Sequence, residues 1–211
     1  MRELVLTLSI WMPVLIVAVV LHELAHGWVA DRCGDPTPRA SGRLTLNPFA
    51  HIDPIGTVAL PLLLFLLHAP FLFGYAKPVP VDFSRLRHPR RDLLLVAVAG
   101  PAANFALAVG FAALLAAAEP HAGIFGAWLA ELAKVGLLFN LVLGVFNLLP
   151  IPPLDGGRVL MAVLPPPWAV HFARIEPWGL GIVVLLLATG GLQLLYQALV
   201  APLARLLLQL F

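Results

Sequence analysis

The chain reads as an all-α polytopic membrane protein, with four spanning helices and one further hydrophobic segment that re-enters the membrane or lies at its interface. Three observations lead there. Of the 211 residues, 61% are hydrophobic and only 11% charged, and the mean hydropathy of +0.95 lies far above that of a water-soluble domain. Residues 4–21, 92–118, 125–149 and 178–200 are apolar runs long enough to cross a hydrocarbon core, which takes roughly 20 helical residues. A single cysteine, Cys33, excludes an internal disulfide, so helix packing must hold the fold.

Taken in order, the first helix covers about residues 3–30, with Pro13 as a kink, and stops near Gly34 and Pro36. Arg2 ahead of an apolar stretch resembles a signal peptide, but no small-residue cleavage pattern follows, so a permanent helix is expected. A polar connector over 35–53 leads to residues 55–73, an apolar run broken by Pro61 and containing His68. A second connector, 75–91, carries Lys77, Pro78, Pro80, Arg85, Arg87, Arg90 and Arg91. The second and third spans are separated by Glu119, Pro120 and His121. Prolines 150, 152 and 153 stop the third span, and a proline-rich stretch precedes the last. One domain over 1–211 is expected, its catalytic core at about 1–160 and a helical region at about 165–211. The net charge of +2 and pI near 9.1 come from arginines scattered beside the spans. They form no dense run with interleaved aromatics, so nucleic acid is not an expected partner, and the lipid bilayer is.

The chemistry gathers at His22, Glu23 and His26. Histidines four apart project from one face of a helix and can share a metal, while the glutamate between them is free to serve as general base. Neutral imidazoles suit Zn²⁺, whose catalytic sites use three protein ligands and keep one position open. Two histidines and a carboxylate inside an apolar helix are too costly to be explained by helix packing alone. Asp155 is the candidate third ligand, because the prolines before it and Gly156 and Gly157 after it force the chain out of helical geometry there. The same aspartate is also suited to capping the helix that follows it, and spacing leaves both readings open. Gly136, Asn140, Gly144 and Asn147 form a small, polar stripe on the third span, with Asn140 and Asn147 as candidate contacts to an extended peptide. Ala102, Ala106 and Gly110 make a small-residue ladder suited to close helix approach. Asn104, on a different face, is a candidate for orienting substrate or an oxyanion, or for an interhelical hydrogen bond. His51, His88, His121 and His171 fall in connectors and are expected to be solvated.

One zinc reaching both His26 and Asp155 requires an even number of crossings between them. Residues 55–73 therefore cannot be a full span. With that run re-entrant, Arg32, Arg39, Arg43, Lys77, Arg85, Arg87, Arg90, Arg91, Arg158 and Arg174 share one side, leaving Arg2 and Arg205 on the other. Positive charge favours the cytoplasmic side, so the zinc site is expected there.

These residues also carry a resemblance. The first helix's His22, Glu23 and His26, the set Ala99, Gly100, Pro101 and Asn104, and the pattern Asn147, Pro150, Leu154, Asp155 and Gly156 resemble the site-2 protease family of intramembrane zinc metalloproteases. The connectors around Gly42–Pro48 and Gly74–Pro80 are similar to the family's short bacterial branch, which has neither PDZ nor CBS domains. The resemblance implies that Asp155 is the third zinc ligand, that one Zn²⁺ binds per chain, and that the substrate is the transmembrane segment of another membrane protein. A rival from another class is a membrane zinc transporter or sensor using the same histidines and aspartate. A second rival is an inactive relative that binds membrane helices.

Overall fold

The computed structural model describes residues 2–67, 74–118 and 123–211, and among these it is helical with no strand. Helix α1 (Arg2–Arg32) runs through Pro13 without a break. After a helical turn, α2 (Thr37–Ala40), the chain makes a π-helical stretch at Pro54–Ala59 that leads into α3 (Leu60–Leu66). Helices α4 (Pro89–Ala118) and α5 (Ile124–Asn147) form the centre of the molecule, and α1 packs against both. Then follow α6 (Asp155–Val163), α7 (Pro166–Ala173), α8 (Glu176–Ala188), α9 (Gly191–Leu195) and α10 (Ala201–Leu208).

Among the described residues, four helical stretches are long and apolar enough to cross a membrane: Glu3–Arg32, Pro89–Ala118, Ile124–Asn147 and Gly191–Leu208. The first three match the sequence reading, and the fourth does not. The apolar run expected to span at 178–200 is broken at Thr189 and Gly190, the latter at φ 81 where only glycine is comfortable. Its first half, α8, pairs instead with α7 across a bend of 64°. Hydropathy sums over a window and passes through such a break unchanged.

Gly56 and Tyr75, described residues on either side of the run from 57 to 73, lie next to each other. The Tyr75 N–H donates to the Gly56 carbonyl at 3.1 Å, and the Thr57 hydroxyl donates to the Tyr75 carbonyl at 2.9 Å. The chain thus leaves and returns side by side, as a re-entrant or interfacial segment requires; residues 68–73, with His68, lie outside the described residues, as does His121.

Small residues set the helix spacing. A Cβ on Gly136 would stand 2.5 Å from the Phe111 ring, and one on Gly144 would stand 3.2 Å from Phe105, so the small stripe of α5 lies directly on α4. A core of Ala108, Ala112, Leu137, Leu141, Val145, Val200 and Ala204 seals that contact. The ladder Ala102, Ala106 and Gly110 is not part of it. Those residues are exposed, with nothing within 4 Å of a Cβ at Gly110, and α4 buries the face of Val96, Gly100, Asn104 and Ala108 instead. Large apolar side chains such as Leu4, Trp11, Trp178 and Leu194 point outward, the surface a lipid solvent calls for.

Candidate metal centre

Two segments far apart in sequence build the site. On α1, His22 and His26 lie one turn apart, with ring centroids 4.7 Å apart. Asp155 arrives from the turn after α5, where Leu154 N–H donates to the Ile151 carbonyl at 2.9 Å and Gly157 N–H to the Leu154 carbonyl at 3.0 Å. The glycines after Asp155 serve close approach. A Cβ at Gly156 would lie 2.2 Å from the Leu148 carbonyl oxygen, and one at Gly157 would lie 2.6 Å from the Pro152 nitrogen. Asp155 does not cap the following helix. It is the first residue of α6, Leu154 holds the cap position, and no side chain caps there.

The three ligand atoms meet at close range. The His22 and His26 Nε2 atoms are 3.1 Å apart, and each lies 3.2 Å from Asp155 Oδ2. All three residues are buried. The Nδ1 atom of His22 lies 2.6 Å from Asn104 Oδ1, and that of His26 lies 2.6 Å from the Val96 carbonyl oxygen. Both partners only accept, so each imidazole carries a proton on Nδ1 and turns Nε2 toward Asp155. With both imidazoles neutral, as metal ligation requires, three lone-pair atoms converge, and Asp155 Oδ2 is buried with no hydrogen-bond partner. That arrangement repels itself unless a cation sits among them. The separations are those of three corners of a tetrahedron around zinc, roughly 3.3 Å for metal–ligand bonds of about 2.0–2.1 Å. The residues fit the ion.

Helix α4 orients both histidines. Gly100 faces them so closely that a Cβ would stand 2.3 Å from His26 Nε2 and 2.7 Å from His22 Nε2. Pro101 lacks the N–H that would continue the helical ladder at that turn. Asn104 is fully buried; its Nδ2 donates to the Ala18 carbonyl at 3.2 Å and to Asn140 Oδ1 at 2.9 Å. Asn140, also fully buried, donates to the Gly136 carbonyl at 2.9 Å. Both amides are used up behind His22, so they do not reach the cavity as the substrate contacts expected of them. Asn104 fulfils the other expectation, an interhelical hydrogen bond, here made to a ligand histidine. Second-layer partners of this kind are worth roughly 10- to 100-fold in metal affinity. Asn104→Leu should weaken zinc binding by about that factor, measured by competition with a chelator, whereas unchanged affinity would show that His22 needs no such partner.

A cavity of about 450 Å³ opens on this centre, lined by His22, Glu23, His26, Asn147, Asp155 and Arg158 together with apolar groups from α1, α5 and α8. Asn147 lies on its wall, with Nδ2 donating to the Leu143 carbonyl at 3.0 Å. The stretch 74–82 has no regular secondary structure and lines the cavity through Tyr75, Pro78, Val79 and Val81, and the Val79 N–H donates to Glu23 Oε2 at 2.8 Å. At its far end Asp82 has its carboxyl held below the usual range by hydrogen bonds from Ser84 and Arg85. His51 differs from the sequence reading: it is 3% exposed, and Nε2 bonds the Thr45 carbonyl at 3.0 Å. His88 and His171 are exposed as expected.

Comparison with known proteins gives the family. The family model described as peptidase family M50 matches residues 11–127 and 122–187. The chain belongs to peptidase family M50. Among similar proteins, YwhC of Bacillus subtilis is 39% identical over 83% of this chain and 78% of its own length. Rip2 of Mycolicibacterium smegmatis is 36% identical over 84% of this chain and 66% of its own length. Both bear a zinc-metalloprotease name. No solved structure matches the chain. This M50 chain is accordingly a zinc metalloprotease and a multi-pass membrane protein.

Proposed function

We propose that the protein hydrolyses a peptide bond in or near the transmembrane segment of another membrane protein, the chemistry of regulated intramembrane proteolysis. The observation that carries the reading is the placement of His22, His26 and Asp155, with Glu23 beside them, at the edge of a cavity among helices apolar enough to span a bilayer. His22, His26 and Asp155 would hold the zinc, which would supply Lewis acidity toward a carbonyl and lower the pKa of a water. Glu23 takes the proton from the attacking water and returns it to the leaving amine. A transmembrane helix hides its carbonyls in internal hydrogen bonds, so the substrate must unwind locally before attack. Asn147, whose Oδ1 has no partner among the described residues, accepts an N–H of the unwound strand and replaces one of those bonds. The test is cleavage of a panel of single-pass membrane proteins by the wild type and by Glu23→Gln, with zinc content read in parallel; zinc flux without cleavage, unaffected by that change, would favour the transporter reading.

The zinc site lies near the cytoplasmic side. The charge pattern and the side-by-side ends of the segment at 55–73 support this. Single cysteines introduced by Ser41→Cys and Ser84→Cys in a Cys33→Ala background should both stay unlabelled by a membrane-impermeant thiol reagent in intact cells. Labelling of either one before the membrane is opened overturns that orientation.

A further inference from the structure

The stretch 74–82 is held by its backbone. Pro78 and Pro80 have no N–H, so Val79 is the single amide donor among residues 78–80, and each residue preceding a proline is confined to extended geometry. That one donor goes to Glu23 Oε2 at 2.8 Å. The other end of the same peptide group, the Pro78 carbonyl, accepts from Arg43 Nη2 at 3.2 Å. Arg43 Nη2 also donates to the Lys77 carbonyl at 2.5 Å, and Nη1 donates to the Ala50 carbonyl. Arg43 is 7% exposed and makes no ion pair with a carboxylate among the described residues.

A guanidinium this buried is costly without a counter-charge. Glu23 lies on the other side of one peptide plane, its Oε2 accepting the Val79 N–H while the Pro78 carbonyl of the same group accepts from Arg43. A cation on the oxygen side polarises the amide, and hydrogen bonds in series strengthen one another, so the N–H facing Glu23 becomes a stronger donor. Gly27, one turn beyond Glu23, makes the approach possible: a Cβ there would lie 2.9 Å from Val79 Cγ1 and 2.8 Å from Leu44 Cδ2. Both the extended stretch and the Arg43 connector thus rest on bare α1 backbone. With Oε2 held, Glu23 Oε1 is left with no partner among the described residues, on a side chain that lines the cavity.

We propose that Arg43 is the positioning residue for Glu23, acting through the Pro78–Val79 peptide group to fix which carboxylate oxygen is offered to the reaction. The inference rests on Glu23 being the general base. Fixing a flexible side chain in one productive geometry acts on turnover more than on substrate affinity.

The test uses the full zinc-loaded chain and acetohydroxamate, which chelates zinc and donates a hydrogen bond to a neighbouring carboxylate. Arg43→Met should weaken acetohydroxamate binding roughly tenfold in the native background but less than about twofold in the Glu23→Gln background. It should also lower kcat with little change in KM, with zinc retained. Val79→Pro removes the relaying N–H and leaves Arg43 in place; it should produce a comparable loss, and the double variant should lose little more. Equal weakening by Arg43→Met in both backgrounds, or a Val79→Pro protein that binds normally, overturns the proposal. If Arg43→Met does not retain zinc, the Val79→Pro measurement decides alone. Normal cleavage by Glu23→Gln would instead overturn the general-base reading itself, so the two failures are distinct.

Discussion

Replacing Glu23 by glutamine should lower cleavage by roughly 10²- to 10⁴-fold, the usual worth of a general base, while zinc content stays at the wild-type level. Glutamine has the same shape and keeps a carbonyl oxygen that can accept the Val79 N–H, so the side chain stays where it is. What disappears is a lone pair basic enough to take a proton. Among the described residues the group that can hold a metal is His22, His26 and Asp155, without Glu23, so the ion should not leave with the activity. Cleavage by Glu23→Gln at a normal rate would mean that another group moves the proton. Loss of zinc from it would mean that the carboxylate is a ligand after all.

A methyl group at Gly100 should do as much harm from the opposite direction. Its Cβ would lie 2.3 Å from His26 Nε2, the atom that faces Asp155. Neither imidazole can swing aside cheaply, because Nδ1 of each is tied to α4 itself, through Asn104 and the Val96 carbonyl. Either the rings tilt off the metal or α4 moves away from α1, and both outcomes spoil the ligand geometry. Gly100→Ala should therefore lower zinc affinity by roughly 100-fold or more, beyond most second-layer changes, and approach the loss expected of His26→Ala. Gly110→Ala is the control on the same helix, since nothing lies within 4 Å of a Cβ there. Equal zinc affinity in the two alanine variants would show that the interface yields more readily than these distances allow.

How much of this was legible in the sequence depended on the range of the interaction. His22, Glu23 and His26 could be read directly, because a spacing of four on a helix is local geometry. The stripe of Gly136, Asn140 and Gly144 was legible for the same reason. Asp155 was open between ligand and cap until its resemblance to a family pattern pointed to the metal, since the residue it must meet is on another helix. Gly100 was visible only as part of that pattern. A glycine announces that something comes close but not what, and here the visitor is a pair of imidazoles from α1. Asn104 was noticed and its hydrogen bond allowed for, yet its partner could not be named. Arg43 and Val79 gave no signal, because the link between them runs through backbone atoms that every residue possesses. The ladder of Ala102, Ala106 and Gly110 was misleading, because small size permits close packing without requiring it.

The metal ligands come from the first and the last of the first three long helices, His22 and His26 from α1 and Asp155 from the turn after α5. A bound ion is thus also a cross-link between the beginning and the end of that bundle. Closing a loop of such length removes much of the freedom of the unfolded chain, and a ligand that binds only the folded form adds stability in proportion to the logarithm of its concentration. Zinc at His22, His26 and Asp155 should therefore hold the fold together as well as serve its chemistry, and stripping the ion should lower the melting temperature.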